Sequence, residues 1–204
     1  MKAISMAMLV VALGVTTGCA ALPESSNAPE DIRAAAQQPL FVTTQSEYAA
    51  AMQSAQPGDT ITLANGVWQD FDLVFDADGT ADAPIKLIAE TPGEVILSGQ
   101  SSLRLGGQHL VVSGLVFKDG FTPLNEVISF RVNSDRLAFN SRVTNTVVEA
   151  YNNPDRVQRD TWVVMYGQNN EFDHYHLSGK LIAGPTMNVR LISEISQKNY
   201  HHSD

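Results

Sequence analysis

Gly93 to Gly120 reads GEVILSGQSSLRLGGQHLVVSGLVFKDG. Short apolar strands, VILSG, LRLGG and LVVSGLVF, follow one another with only Gly, Ser, Gln or His between them. No helical period intervenes. Strand, tight turn, strand, turn is the pattern of a chain that coils into a parallel β-helix. Gly99, Gly106, Gly107, Gly114 and Gly120 mark successive corners, where tight bends favour a residue free to take positive φ.

The pattern extends in both directions. Ile61-Thr62-Leu63 alternates, Asn65-Gly66 turns, and Asp70 to Phe75 alternates again. Asp78-Gly79-Thr80 makes the next turn and Ile85 to Ile88 the next strand. Aligning apolar strand starts at Leu110, Leu137, Phe172 and Tyr200 gives spacings of 27, 35 and 28 residues. Coils of about 20–30 residues with an occasional loop insertion suit a solenoid. Asn152 to Asp160 is the expected insertion. Few hairpin signals support the competing antiparallel sandwich. The fold class expected is all-β, a parallel β-helix.

Upstream of the strands, Thr44-Gln45-Ser46-Glu47 has the form of a capping box, and the Ala-rich QSEYAAAMQSA follows it. One short helix is predicted, stopped by Gln56-Pro57-Gly58-Asp59. Its place suits a plug for the open end of the solenoid, where edge groups lack partners.

The chain has 204 residues, 44% of them hydrophobic, and a formal charge of −9. Mean hydropathy is −0.08, that of a soluble globular protein. The whole excess lies in residues 1–130, with 5 Lys and Arg against 14 Asp and Glu; residues 131–204 balance at 8 against 8. The lack of a basic excess argues against a nucleic-acid partner. It leaves room for an anionic polysaccharide held in a local basic cleft.

The first residues read as a targeting segment. Lys2 is a one-charge leader, and Ala3 to Val15 is apolar but too short to span a bilayer. Val15-Thr16-Thr17-Gly18-Cys19 then resembles a bacterial lipoprotein cleavage site. Residues 1–18 are therefore expected to be a signal peptide and Cys19 the lipidated residue, the alternative being an ordinary secretory signal. Loss of Lys2 would bring the mature charge to −10. Cys19 is the only cysteine, so no intrachain disulfide is possible. Residues 19–39, rich in Ala, Pro, Ser and Gln, read as a flexible tether. The expected location is the bacterial cell envelope, lipid-anchored to the outer membrane, or else periplasmic or secreted. Contact with membrane is expected only through the anchor.

Five runs, in order, resemble polysaccharide lyase family 6, which includes alginate lyases and chondroitinase B: AQPGDTITLANGVWQDFDL (55–73), LSGQSSLRLGGQHLVVSGLVFKDG (97–120), SRVTNTVVEAYNNPDR (141–156), VVMYGQNNEFDHYHLSGK (163–180) and SEISQKNYH (193–201). The resemblance implies a right-handed parallel β-helix and β-elimination on a uronate-containing polysaccharide. The proton removed there lies α to a carboxylate and is a poor acid while that carboxylate is charged. A Ca²⁺ ion can neutralise it. A lysine of lowered pKa can act as base, and an arginine can position and protonate.

The family supplies these groups as an Asn-Gly-Gly-Glu segment, a Gly-Glu-x-Glu segment followed by Lys, and a later Arg. None is present. Gly93-Glu94-Val95-Ile96 lacks the second acid and the lysine, and it comes too early in the family's order. The expectation is that residues 40–204 are the N-terminal coils of a longer lyase domain. Catalytic groups and Ca²⁺ ligands are then expected beyond residue 204, and this chain alone is expected to be inactive.

The residues expected to touch substrate are Arg131, His176, Lys180 and Arg190. Arg131 (in FRV) and Arg190 (in VRL) are flanked by apolar residues, which places their guanidinium groups on an outer strand face for carboxylate binding. Lys180, at a coil corner, can meet a uronate carboxylate as a point charge. His174 and His176 stand two apart and so would share a strand face. No third ligand suits a transition metal there, and a sugar-groove role for His176 is preferred. Asn169, Asn170 and Asn199 read as turn or ladder residues, and Trp68 and Trp162 as core. The leading reading is an alginate lyase acting by Ca²⁺-assisted β-elimination. The alternatives are a lyase of chondroitin or dermatan type and a non-catalytic glycan-binding lipoprotein.

Overall fold

The computed structural model describes residues 40–155 and 157–190. The signal segment, Cys19, the tether, Asn199 and the strand start at Tyr200 lie outside the described residues.

A short strand β1 (Leu40–Val42) leads into helix α1 (Gln45–Ser54). The Thr44 side chain caps the helix by accepting from the Glu47 N–H at 3.1 Å. Glu47 reaches back one residue further than in a standard capping box, to the Thr43 N–H at 2.7 Å and hydroxyl at 2.8 Å. These bonds hold its carboxyl below the usual range. Tyr48 and Ala51 point into the core, and Tyr48 Oη donates to the Val74 carbonyl at 2.8 Å.

Coils of three strands follow. The first comprises β2 (Thr60–Leu63), β3 (Gly66–Gln69) and β4 (Asp72–Asp78). The second comprises β5 (Ile85–Ala89), β6 (Val95–Gln100) and β7 (Ser102–Gln108). The third comprises β8 (Leu110–Ser113), β9 (Leu115–Phe121) and β10 (Glu126–Ser129), with a short extra strand β11 (Ala138–Phe139). Then come β12 (Arg142–Thr144), β13 (Val147–Glu149) and β14 (Thr161–Met165), and finally β15 (Glu171–Asp173), β16 (His176–Ser178) and β17 (Met187–Val189).

Equivalent strands stack in parallel into three sheets. Sheet A is ordered β1-β2-β5-β8-β12-β15 and sheet B β3-β6-β9-β13-β16. Sheet C runs β4-β7-β10-β14-β17, with β11 also on β7. The architecture is the expected right-handed parallel β-helix. Inward residues such as Ile61, Leu87, Val112 and Val143 form one apolar column in register from coil to coil. Trp68 and Trp162 are core residues, as predicted; the Trp162 indole donates to the Tyr151 carbonyl at 2.8 Å.

Two details of the predicted repeat are corrected. The sheet A partner of β8 is β12, beginning at Arg142, not the run beginning at Leu137. Leu137 lies on the sheet C side, in an antiparallel bridge with Arg131. The reason is an excursion over residues 131–137 that folds back across β7 before the chain turns into sheet A. His174 and His176 do not share a strand face either. His174 has φ of 47° in the corner between β15 and β16, and only His176 is in a strand. Asn169 and Asn170 behave as predicted. Asn169 Nδ2 donates to Asn140 Oδ1 at 3.1 Å, and Asn170 Nδ2 bonds the carbonyls of Ala138 and Tyr166 at 2.7 Å each.

Candidate functional site: an arginine-lined cleft on sheet C

The outer face of sheet C carries the molecule's concentration of cations. Ser129 is paired with Arg104 on one side and Val164 on the other. Two residues further on, the same register sets Arg131 beside Tyr166 and Tyr166 beside Arg190. The contacts agree: the Arg131 guanidinium lies 4.0 Å from the centre of the Tyr166 ring, and the Arg190 guanidinium 5.8 Å from it. Two cations two coils apart thus share one aromatic ring on the coil between them.

Glu126, at the start of β10, ties this row together. Its Oε1 accepts from Arg131 Nη2 at 3.0 Å and from the Tyr166 hydroxyl at 2.6 Å. Its Oε2 accepts from Ser129 Oγ at 2.5 Å. Burial, and then the Glu126 carboxylate, push the Tyr166 phenol up to about 12, so the hydroxyl stays a donor.

The surface around this cluster is concave in two lobes. The first, about 260 Å³, is lined by Arg104, Leu124, Asn125, Glu126, Ser129, Arg131 and Val132. The second, about 390 Å³, is lined by Arg131, Arg159, Arg190, Glu126, Asn125, Asn188 and neighbours. Four arginines and one carboxylate therefore line one continuous cleft in an otherwise acidic chain. Such a cleft attracts carboxylates and binds them through charge-assisted hydrogen bonds.

The excursion at 131–137 forms one wall, and the glycines beneath it make room. A Cβ on Gly106 would stand 2.8 Å from both Arg136 Cγ and Val132 Cγ2. Arg136 clamps the excursion to β4 through Asp76 (2.6 Å) and Asp78 (2.8 Å). Arg104 pairs with Asp72 and donates to the Val132 carbonyl at 3.0 Å.

Of the residues singled out from the sequence, Arg131 and Arg190 come together in this cleft. His176 does not; it is exposed on β16 in sheet B. Lys180 is half-buried in the segment between β16 and β17. Its Nζ donates to the Asp160 carbonyl at 2.9 Å and sits 5.7 Å from the centre of the Trp162 ring. Burial pulls its pKa down, against the opposing pull of Asp160. Arg104, Arg159, Glu126 and Tyr166 were not anticipated. Arg104 lies in LRL, the same apolar-Arg-apolar pattern that marked the other two.

Among the described residues, no three His, Cys, Asp or Glu side chains form a group able to hold a metal ion. Among the described residues that line the cleft, Glu126 is the only acid, and it is committed to Arg131, Tyr166 and Ser129. The described residues therefore do not fit a Ca²⁺ site.

The fold is a parallel β-helix with an arginine-lined cleft on sheet C, and the comparisons give the family that shares this fold. The family model described as Chondroitinase B matches residues 42–204, and the chain belongs to this family, polysaccharide lyase family 6. The structure resembles that of the PL6 family alginate lyase AlyGC, with TM-score 0.76 and 54% identity over 78% of this chain and 22% of that one. It also resembles the PL6 family polysaccharide lyase Pedsa3628 from Pseudopedobacter saltans, with TM-score 0.69 and 31% identity over 76% and 35%. A mannuronic acid specific polysaccharide family 6 lyase from human gut microbiota gives TM-score 0.66 and 26% identity over 73% and 36%. The chain thus spans only 22–36% of the length of these enzymes. No curated protein matches it.

Proposed function

We propose that this chain provides the N-terminal coils and part of the substrate groove of a lyase that cleaves alginate by β-elimination. The observation that carries the reading is the sheet C cleft, which Arg104, Arg131, Arg159 and Arg190 line together with Glu126. A polyuronate offers one carboxylate per sugar, and guanidinium forks suit carboxylates better than any other side chain. The 54% identity to an alginate lyase favours that polymer.

In this reading the cleft residues bind and orient the chain of sugars and partly neutralise its carboxylates. Proton abstraction and Ca²⁺ binding fall to residues outside the described set. An exported protein anchored through Cys19 would meet its polymer at the cell surface, and Arg131 and Arg190 are the proposed substrate contacts in the cleft, whereas His176 and Lys180 lie outside it.

The experiment is the rise in ultraviolet absorbance from unsaturated uronate on alginate, measured for this chain and for a longer one carrying the family's Gly-Glu-x-Glu and Lys segments. Absorbance from the longer protein alone is expected. Double-bond formation by residues 40–204 would overturn the placement of the catalytic groups. Alginate binding without cleavage by the longer protein would point to a glycan-binding module. A second reading, a lyase of chondroitin or dermatan type, is favoured by the family model that matches; relative rates on alginate and dermatan sulfate separate the two.

A further inference from the structure

Glu126 has no evident place in a cleft meant for polyanions. It lines both lobes, and Arg131 between them lines both as well. A carboxylate at the junction weakens attraction for any anion placed against it. Yet it is built in: three donors on three different residues hold its two oxygens. Its side chain is 14% exposed, so one edge still faces the cleft.

We infer that Glu126 is a specificity-determining residue that selects a polyuronate with free hydroxyls over a sulfated one. The inference rests on the polyuronate reading above and refines it.

The argument is one of donors and acceptors. An ionised carboxylate is acceptor-only, with about four lone-pair sites. Arg131 and the Tyr166 hydroxyl occupy two on Oε1, and Ser129 occupies one on Oε2. The site left on Oε2 takes a donor. A sugar hydroxyl can donate there while the neighbouring carboxylates lie against the arginines of the two lobes. A sulfate ester at the same place offers only oxygen acceptors and negative charge. It would set like charge against like and leave the Glu126 lone pair unsatisfied, a penalty specificity can use. Arg131 cannot swing across to compensate, because the Tyr166 ring and Glu126 both hold it.

The test is calorimetric titration of the whole chain with length-matched oligomers of polymannuronate and of dermatan sulfate. The native chain should bind the unsulfated oligomer more tightly. Glu126→Gln keeps an acceptor oxygen for Arg131 and removes the charge; it should raise affinity for the sulfated oligomer relative to the unsulfated one on the order of tenfold. Ser129→Ala removes one hydrogen bond but keeps the charge, and it should leave the ratio of the two affinities unchanged. If Glu126→Gln leaves the ratio unchanged, or if Ser129→Ala moves it as far, the inference is overturned while the polyuronate reading stands. If the native chain binds neither oligomer, the polyuronate reading itself falls.

Discussion

The Arg131 guanidinium lies 4.0 Å from the centre of the Tyr166 ring, and both side chains bond the same oxygen of Glu126. Ring and hydroxyl therefore do different jobs, and two substitutions separate them. Tyr166→Phe keeps the ring under both guanidinium groups and removes the bond to Glu126. It should cost about 1 kcal/mol of stability in urea unfolding and leave most of the affinity for polymannuronate oligomers. Tyr166→Leu removes the ring as well and should weaken that affinity about three- to tenfold. Equal affinity losses in the two variants would contradict a role for the ring.

Three phenols are expected to titrate late. Burial raises Tyr48 well above the ordinary tyrosine value. It also takes Tyr151 up to about 12, although hydrogen bonds with Ser101 oppose the rise, and Tyr166 to about 12. A phenol with a raised folded-state pKa adds stability that is whole below the unfolded value of about 10 and is lost as pH climbs through the folded one. The native absorbance titration should show three phenols ionising only near alkaline unfolding. In denaturant, all three should ionise around pH 10.

Gly107 sits at φ of 103°, and a Cβ there would run into the Ala77 carbonyl. Gly106 has an ordinary φ and meets side chains of the 131–137 excursion instead. Gly107→Ala should therefore destabilise by about 2–4 kcal/mol, through backbone strain and a clash that cannot relax. Gly106→Ala should cost less stability but push the excursion, and Arg131 with it, off sheet C. The signature is a larger drop in urea midpoint for Gly107→Ala and a larger drop in ligand affinity for Gly106→Ala.

The contrast between these glycines shows how far the sequence could be read. The coil, its helix cap and its Gly corners were legible because strand alternation, capping and turn chemistry are local. Corners at Asp70, His109, Asn140, Asn145 and Ala150 also take positive φ, but nothing local distinguishes them from solvent-facing polar or small residues. The misplacement of Leu137 has the same origin. An excursion that returns to its own sheet keeps the apolar spacing of a new coil, and only inter-coil register reveals it. Arg131 and Arg190 were legible as guanidinium groups on outer faces. Tyr166 was not, because it meets Arg131 and Arg190 only across coils, 35 and 24 residues away; Arg159 was not, because it lies in the irregular segment before β14.

Asp160 is a test of a different kind. It is 1% exposed, and neither carboxylate oxygen finds a hydrogen-bond donor among the described residues. Its backbone instead stitches the segment before β17 in place. The N–H donates to the Ala183 carbonyl at 3.2 Å, and the carbonyl accepts from Lys180 Nζ at 2.9 Å. Burial raises the carboxyl's pKa, and Lys180 offsets this only in part. A carboxyl with a raised folded-state pKa favours the native state most below its unfolded value of about 4, and that contribution is lost as pH rises through the folded value. Asp160→Asn keeps the shape and the backbone bonds and removes the charge. It should stabilise the chain by about 1 kcal/mol at neutral pH, with the gain shrinking toward zero near pH 4. Urea midpoints of the two proteins across that range check both the size and the direction. A loss of stability at neutral pH would mean that Lys180 favours the buried charge by more than burial costs it.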